Sequence, residues 1–129
     1  MPSDPPQTSK RALVADDDDI IVVYVSAILR RVGYEVDTCS NGMVALEMFR
    51  ARPYDAVVCD IRMPKLSGMS FLKNLRLTPQ STCRIVMFSA LVDATIRRDA
   101  IAAGAVAVLP KPSKAAAIVA AVTGVSVET

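Results

Sequence analysis

Short apolar runs alternate with helical segments along the chain, and no other feature of the sequence constrains the fold as strongly. Four of the runs, at residues 12–15, 56–59, 85–88 and 105–109, are four or five residues long and mostly aliphatic, and a fifth strand is predicted at residues 34–39, where polar residues interrupt the apolar ones. Such runs are typical of strands buried on both faces of a parallel sheet. Five of them separated by helices predict a doubly wound α/β domain, with helices on both faces of an open sheet.

The segment after the first run requires a choice between strand and helix. Residues 20–32 contain many β-branched side chains, which by local propensity favour a strand. However, Asp18 or Asp19 can cap a helix at its start, and Gly33 follows its end. A set of apolar residues also recurs at helical spacing, at Ile21, Val25, Ile28, Leu29 and Val32. We therefore predict a helix that buries this stripe.

Four further helices complete a single domain. They are predicted at residues 42–50, around 71–75, at 93–103 and at 114–122. Residues 1–10 are polar and contain three prolines, so we expect a disordered leader. The domain then spans residues 11–123, and residues 124–129 form a short tail.

Histidine is absent from all 129 residues, which excludes several kinds of site. A Ser-His-Asp triad, a His-ligated metal and a phosphohistidine carrier all need one. Three cysteines, Cys39, Cys59 and Cys83, have no C-x-x-C spacing, so we expect reduced core residues rather than disulfides or zinc ligands. The net charge of +2 is too small to indicate nucleic-acid binding.

The sequence does not predict attachment to a membrane. Its apolar runs are shorter than the roughly 18 residues of a membrane span. Residues 1–10 lack the apolar stretch of a secretion signal. We therefore expect a soluble, cytoplasmic protein that binds neither membranes nor, directly, nucleic acid.

Polar residues stand where the predicted strands end. Because the carboxyl ends of parallel strands meet at one edge of the sheet, ligands of such folds bind in the crevice beyond that edge. Three carboxylates, a hydroxyl and an amine should meet there, from Asp16, Asp17, Asp60, Ser89 and Lys111.

This group of side chains suits phosphoryl transfer. Clustered carboxylates repel one another unless a cation lies among them, and their hard oxygen atoms favour Mg2+. A carboxylate oxygen could then attack a phosphoryl group, whose charge the metal, the amine and the hydroxyl would neutralise. The residues predict phosphoryl transfer to an aspartate.

Four motifs in this order resemble the receiver domain of two-component response regulators. They are LVADDDD after the first strand, YDAVVCDIRMP around the third, MFSA at the end of the fourth and LPKPS after the fifth. The resemblance covers about residues 11–122. It implies a flavodoxin-like fold whose five parallel strands have the order 2-1-3-4-5.

The resemblance also implies roles for individual residues. Asp60 would be the phosphoacceptor, taking a phosphoryl group from a phosphohistidine on a sensor histidine kinase or a histidine phosphotransfer protein. Mg2+ would be held by Asp16, Asp17 and Asp60, together with the backbone carbonyl of Arg62.

The remaining roles belong to residues after the fourth and fifth strands. By the same resemblance, Ser89 would hydrogen-bond a phosphoryl oxygen and move toward it on activation. Lys111 would form an ion pair with the phosphoryl group, and the Lys111–Pro112 peptide bond would be cis.

Two features depart from the usual pattern. Many receivers have an aromatic residue three positions before the lysine, but here Val108 stands there, so the usual coupling of hydroxyl and aromatic ring is in doubt. The last helix has few charges, and an exposed Ala/Val face on it would serve a homodimer or a downstream protein. We expect such contacts on the face formed by helix 4, strand 5 and helix 5.

Simpler readings of single residues stay open at this point. Asp18 and Asp19 are expected to be helix caps rather than metal ligands. Ser89 alone could form a local turn with its own backbone. Arg97 and Arg98 are expected on a solvated helix face, with a partner surface as the alternative.

Other functions also stay open. The domain could be a docking module that works without phosphorylation, or the receiver of a longer regulator with a DNA-binding or enzymatic output domain. The spacing of Asp16 and Asp18 after a strand also suggests a small Mg2+ phosphohydrolase. Against that reading, Asp60 and Lys111 are placed as in a receiver. We expect no enzymatic activity beyond the domain's own phosphoryl transfer and dephosphorylation.

Overall fold

The computed structural model describes residues 10–63, 65–75 and 83–125. Five strands alternate with five helices in this part of the chain. The strands are β1 (Lys10–Ala15), β2 (Tyr34–Cys39), β3 (Ala56–Asp60), β4 (Arg84–Ser89) and β5 (Ala107–Pro110). The helices are α1 (Asp19–Arg31), α2 (Gly42–Ala51), α3 (Gly68–Leu75), α4 (Ala94–Ala102) and α5 (Ala115–Thr123).

All strand pairs in the sheet are parallel, and the strand order is β2-β1-β3-β4-β5. This is the flavodoxin-like arrangement that the motifs imply, so the predicted fold is confirmed. Residue Ala15 pairs with Cys39 on one side and Cys59 on the other, which brings the ends of three strands to one level. The order reverses beside β1, so the crevice of such a fold opens next to the end of this strand.

The sheet is covered on both faces because successive residues of its strands point in opposite directions. In β1, Leu13 and Ala15 face a core that includes residues of α2, α3 and α4. The alternate residues Ala12 and Val14 face a second core, which includes residues of α1 and α5.

Helix α1 forms despite its β-branched sequence, as the apolar spacing predicts. The carboxylate of Asp18 caps it by accepting a hydrogen bond of 3.0 Å from the backbone N–H of Ile20. Val25 and Leu29 are fully buried against the sheet. Val32, which we expected in the buried stripe, is 46% exposed because the helix ends at Arg31 and Val32 is only its cap.

The ends of the domain differ slightly from the prediction. Lys10, expected in the leader, is the first residue of β1 because it pairs with Tyr34 of β2. At the other end, Gly124 ends α5 in the left-handed conformation, with φ of 78°. The rest of the leader, residues 1–9, and residues 126–129 of the tail lie outside the described residues.

The three cysteines are free thiols. Cys59 is buried in the core as predicted, whereas Cys39 and Cys83 are half-buried at its margin. Burial raises the pKa of the Cys39 thiol to about 11 and that of Cys83, which also lies near the Asp55 charge, to about 12. These thiols are therefore protonated and weakly nucleophilic at neutral pH.

Among the helices that the structure describes, none has both the length and the apolar character needed to cross a membrane.

Candidate functional site

Side chains from the ends of four strands meet at one edge of the sheet, as the sequence predicts. Asp60 and Ser89 are the last residues of β3 and β4, whereas Asp16 and Lys111 immediately follow β1 and β5. Asp16, Asp60 and Ser89 are buried, with exposed fractions of 2%, 7% and 5%. Asp17 is exposed beside them. A buried group of this polarity indicates a binding site rather than part of the core.

The ammonium of Lys111 lies between two carboxylates. Its Nζ is 2.8 Å from Asp16 Oδ2 and 3.2 Å from Asp60 Oδ2. Burial raises the pKa of Asp16, an effect that the adjacent Lys111 ammonium partly offsets. Burial alone would lower the pKa of Lys111, but the charges of Asp16 and Asp60 outweigh it and raise the pKa. Lys111 is therefore a permanent cation in the pocket.

Backbone groups hold the two buried carboxylates in place. The Asp18 N–H donates to Asp16 Oδ1 at 2.9 Å, and the Arg62 N–H donates to Asp60 Oδ1 at 3.1 Å. The backbone of Asp16 is also tied to β2 by a 3.1 Å hydrogen bond from its N–H to the Cys39 carbonyl. Each carboxylate thus has one oxygen bonded to the backbone and the other paired with Lys111.

The hydroxyl of Ser89 points elsewhere. Its Oγ donates to the Leu91 carbonyl at 2.8 Å and accepts from the Leu91 N–H at 3.1 Å. This is the local turn that the sequence left open as an alternative. The role of Ser89 toward a phosphoryl group stays a prediction. A cleft of about 120 Å³ lies between this turn and the acidic residues, and Asp60, Arg62 and Lys111 line it.

The carboxylates are arranged as a cation would need them. One oxygen each from Asp16, Asp17 and Asp60 lies within 4.8 Å of the others. Asp16 Oδ2 is shielded from solvent and receives no hydrogen bond of good geometry from the described residues, although it contacts the Lys111 ammonium. A hard cation would satisfy this oxygen, so the residues present fit Mg2+.

The loop after β5 also follows the prediction. The Lys111–Pro112 peptide bond is cis. The Lys111 N–H donates to the Ser89 carbonyl at 2.8 Å, which joins the ends of β4 and β5 beside the pocket. Val108, three positions before Lys111, is buried in the core.

Arg97 is exposed on α4 as expected, but it also makes a contact that the sequence did not predict. Its guanidinium donates to the Val108 carbonyl at 3.0 Å and so fastens α4 to the edge strand β5. Arg98, in contrast, makes a contact of 3.5 Å with Asp99 at the surface, in line with the prediction.

The two most exposed large apolar side chains among the described residues lie on α1 rather than on α5, where an exposed face was expected. On α5 the expected Ala/Val face is partly covered, since Val122 is buried and Val119 half-buried. On α1, which follows the acidic residues in the chain, Ile20 is 78% and Val23 68% exposed. The sequence contained this signal, because six consecutive apolar residues at 20–25 cannot all face the core from one helix.

The fold and the acidic pocket at the edge of its sheet together define the class of this protein, the receiver domains of two-component signalling. Residues 12–123 match the family described as "Response regulator receiver domain". Because the match covers most of the chain, the chain belongs to this family. It is a receiver domain of two-component systems, and the predicted family is confirmed.

The relatives are similar in sequence but much longer. The chain is 40% identical over 105 residues to a protein-glutamate methylesterase/protein-glutamine glutaminase of Anaeromyxobacter dehalogenans, covering 79% of this chain and 29% of that protein. It is 37% identical over 101 residues to the transcriptional regulatory protein ZraR of Klebsiella oxytoca, covering 78% of this chain and 22% of ZraR. The chain thus spans less than a third of either relative.

Solved structures share the fold. One is a response regulator from Burkholderia pseudomallei with a phosphorylated aspartic acid and a calcium ion, with a TM-score of 0.79 and 28% identity, covering 88% of this chain and 66% of that chain. Another is the CheX–CheY–BeF3–Mg complex from Borrelia burgdorferi, with a TM-score of 0.84 and 28% identity, covering 92% of this chain and 90% of that chain.

Proposed function

We propose that Asp60 accepts a phosphoryl group from a phosphohistidine of a partner histidine kinase or phosphotransfer protein. One observation carries this assignment. Asp60 is 7% exposed, its Oδ2 is 3.2 Å from the Lys111 ammonium, and it lines the small cleft at the sheet edge. A buried carboxylate beside a fixed cation is poised for attack on a dianionic group.

In the reaction, an oxygen of Asp60 attacks phosphorus in line with the departing imidazole. The new O–P bond forms as the P–N bond breaks, and the electron pair of that bond goes to the ring nitrogen of the partner's histidine. Lys111, whose ammonium is 3.2 Å from Asp60 Oδ2, would neutralise the oxygens of the transferred group. Ser89 would donate a hydrogen bond to one of them after leaving Leu91.

The metal assignment rests on the donor set. Asp16, Asp17 and Asp60 would hold Mg2+, with the backbone carbonyl of Arg62 as a further ligand. When bound, Mg2+ supplies positive charge that lets the acidic pocket receive an anionic phosphoryl group. The phosphorylated aspartate and calcium ion of the Burkholderia protein, and the BeF3 and Mg of the Borrelia complex, support this chemistry.

The start of α1 carries an exposed apolar surface that a phosphoryl donor could contact. Ile20 and Val23 project from the first two turns of α1, directly after the acidic residues. We propose that the partner packs on these side chains while its phosphohistidine reaches Asp60. Ile20→Glu should then slow phosphorylation by the partner but not by acetyl phosphate, which needs no docking. If the partner phosphorylates this variant and the wild type at equal rates, the proposed contact is excluded.

A second contact would carry the signal onward. We propose that a homodimer or a downstream protein uses the face of α4, β5 and α5, where Ile101 and Val106 are 45% and 40% exposed. The domain itself would catalyse only its own phosphoryl transfer and dephosphorylation, in the cytoplasm. One relative is named as a methylesterase and another as a transcriptional regulatory protein. These names support the view that receivers of this kind can control different downstream activities.

Acetyl phosphate with Mg2+ tests the assignment of the acceptor. We expect intact-mass spectrometry to show one added phosphoryl group on the wild type and none on Asp60→Asn. The matched control is Asp99→Asn, which changes an exposed aspartate of α4 and should be modified like the wild type. Modification of Asp60→Asn would overturn the assignment. An unmodified wild type would favour a docking module that works without phosphorylation.

A further inference from the structure

The first residue of α2 touches the loop that follows the candidate acceptor. Gly42 is buried, and a Cβ built on it would overlap the carbonyl oxygen of Leu66 and lie 2.7 Å from its carbonyl carbon. The φ of Gly42 is not in the left-handed region. Glycine is therefore required here because there is no space for a side chain, and not because of its backbone conformation. The backbones of α2 and this loop are therefore in direct contact.

The loop runs from the end of β3 to the start of α3, and both its ends are fixed. The Ile61 N–H donates to the Phe88 carbonyl of β4, and the Gly68 N–H donates to the Ile61 carbonyl, each at 2.9 Å. A Cβ on Gly68 would overlap the Asp60 carbonyl oxygen, so the loop has no room to shift toward the sheet at this end. Leu66, between these ends, packs against the core.

The same loop carries Arg62, whose N–H donates to Asp60 Oδ1 at 3.1 Å. We propose that Gly42 is a positioning residue for the acceptor site, an inference that rests on the proposed function. The missing side chain at Gly42 lets the loop lie against α2, and this keeps the Arg62 amide on Asp60. A side chain at this position would push Leu66 away, and the displacement would pass to Arg62 because Gly68 cannot yield.

The test is Gly42→Ala, with Gly33→Ala as the matched control. Gly33 has a φ of 101° and open space around it, so alanine strains its backbone without touching the loop. In metal-free protein, Gly42→Ala should shift the Arg62 amide in a 1H–15N spectrum. It should also raise the Mg2+ Kd by about tenfold. Gly33→Ala should lower the unfolding midpoint but leave the Kd within about twofold of the wild type.

A loss of stability alone would not produce this pattern. If both variants unfold earlier and both keep the wild-type Kd and Arg62 amide, the inference is wrong. Should Gly42→Ala fail to fold, Leu66→Ala disturbs the same loop in another way, because it removes the side chain that packs the loop against the core. It should shift the Arg62 amide and raise the Kd by about threefold or more, and a wild-type amide and Kd would overturn the inference.

The proposed function fails separately. If acetyl phosphate does not modify Asp60 in the wild type, the acceptor is misassigned whatever Gly42→Ala does. If Asp60 is modified and Gly42→Ala behaves like Gly33→Ala, only the positioning role is lost.

Discussion

The two sides of the acidic pocket differ in how much of a phosphate-binding arrangement is already formed. Around the acidic residues at the ends of β1 and β3, the Lys111 ammonium contacts both Asp16 and Asp60. On the side of β4, the Ser89 hydroxyl makes both of its hydrogen bonds with Leu91. The first side can receive charge without rearranging, whereas the second must break contacts before it takes part. The conformational signal should therefore arise at β4 and the turn that follows it.

The energies involved are small enough for a reversible switch. Giving up hydrogen bonds with Leu91 costs about 1 kcal/mol each. A hydrogen bond from Ser89 to a charged phosphoryl oxygen contributes about 1.5–3 kcal/mol. The two contributions nearly balance, so phosphorylation can shift the population of the turn without holding it irreversibly in one state.

Removing the Lys111 ammonium should have the largest effect on phosphorylation and on the structural change that follows it. Lys111→Ala leaves two buried carboxylates without their cationic partner and removes a charge that repels Mg2+, so the Mg2+ Kd should not rise. Without the ammonium, phosphorylation should no longer alter the heteronuclear NMR shifts of the β4 side. Acyl phosphate should also form about 100-fold more slowly.

Lys114→Ala is the control, because Lys114 is exposed and its side chain makes no capping hydrogen bond. If Lys111→Ala shows the wild-type shift changes on phosphorylation, Lys111 has no ion-pair role.

Removing the Ser89 hydroxyl should have a smaller effect on phosphorylation than removing the Lys111 ammonium. Ser89→Ala removes the hydroxyl but no charge, so the Mg2+ Kd should stay within about twofold of the wild type. Acyl phosphate formation should slow by about tenfold, since one hydrogen bond to the transferred group is lost. The Leu91 amide should take the same NMR position with and without phosphorylation. A Ser89→Ala protein whose Leu91 amide still moves would place the switch elsewhere.

The smallest effect concerns stability without metal. Burial raises the pKa of Asp16 above its ordinary value of 3.8, so the ionised form destabilises the folded chain at pH values above the raised pKa. In a chelator at about pH 7, Asp16→Asn should therefore melt a few degrees above the wild type. The difference should shrink as the pH falls and the wild-type carboxyl becomes neutral.

Mg2+ should raise the melting temperature of the wild type more than that of Asp16→Asn. A variant that melts below the wild type in the chelator would mean that the ion pair with Lys111 outweighs the cost of burial.

The sequence was sufficient to predict the fold and to predict that the polar residues of the site lie together at one edge of the sheet. Periodicity distinguishes helix α1 from a strand, and parallel strands bring Asp16, Asp60 and Lys111 to one edge whatever the details of the loops. The direction of the Ser89 hydroxyl could not be predicted, because a serine at this position can either hydrogen-bond its own turn or hydrogen-bond a ligand. The reach of Arg97 to Val108 and the contact of Gly42 with Leu66 depend on through-space geometry that no sequence spacing encodes.

Locating the phosphoryl group on the wild-type chain is the most direct test of these assignments. After treatment with acetyl phosphate and Mg2+, the acyl phosphate would be reduced with borohydride to a stable alcohol and mapped by tandem mass spectrometry. We predict that the reduced residue is Asp60, with Asp55 in the same peptide unchanged. A reduced residue at Asp16 or Asp17 would contradict the assignment of β3 as the acceptor strand.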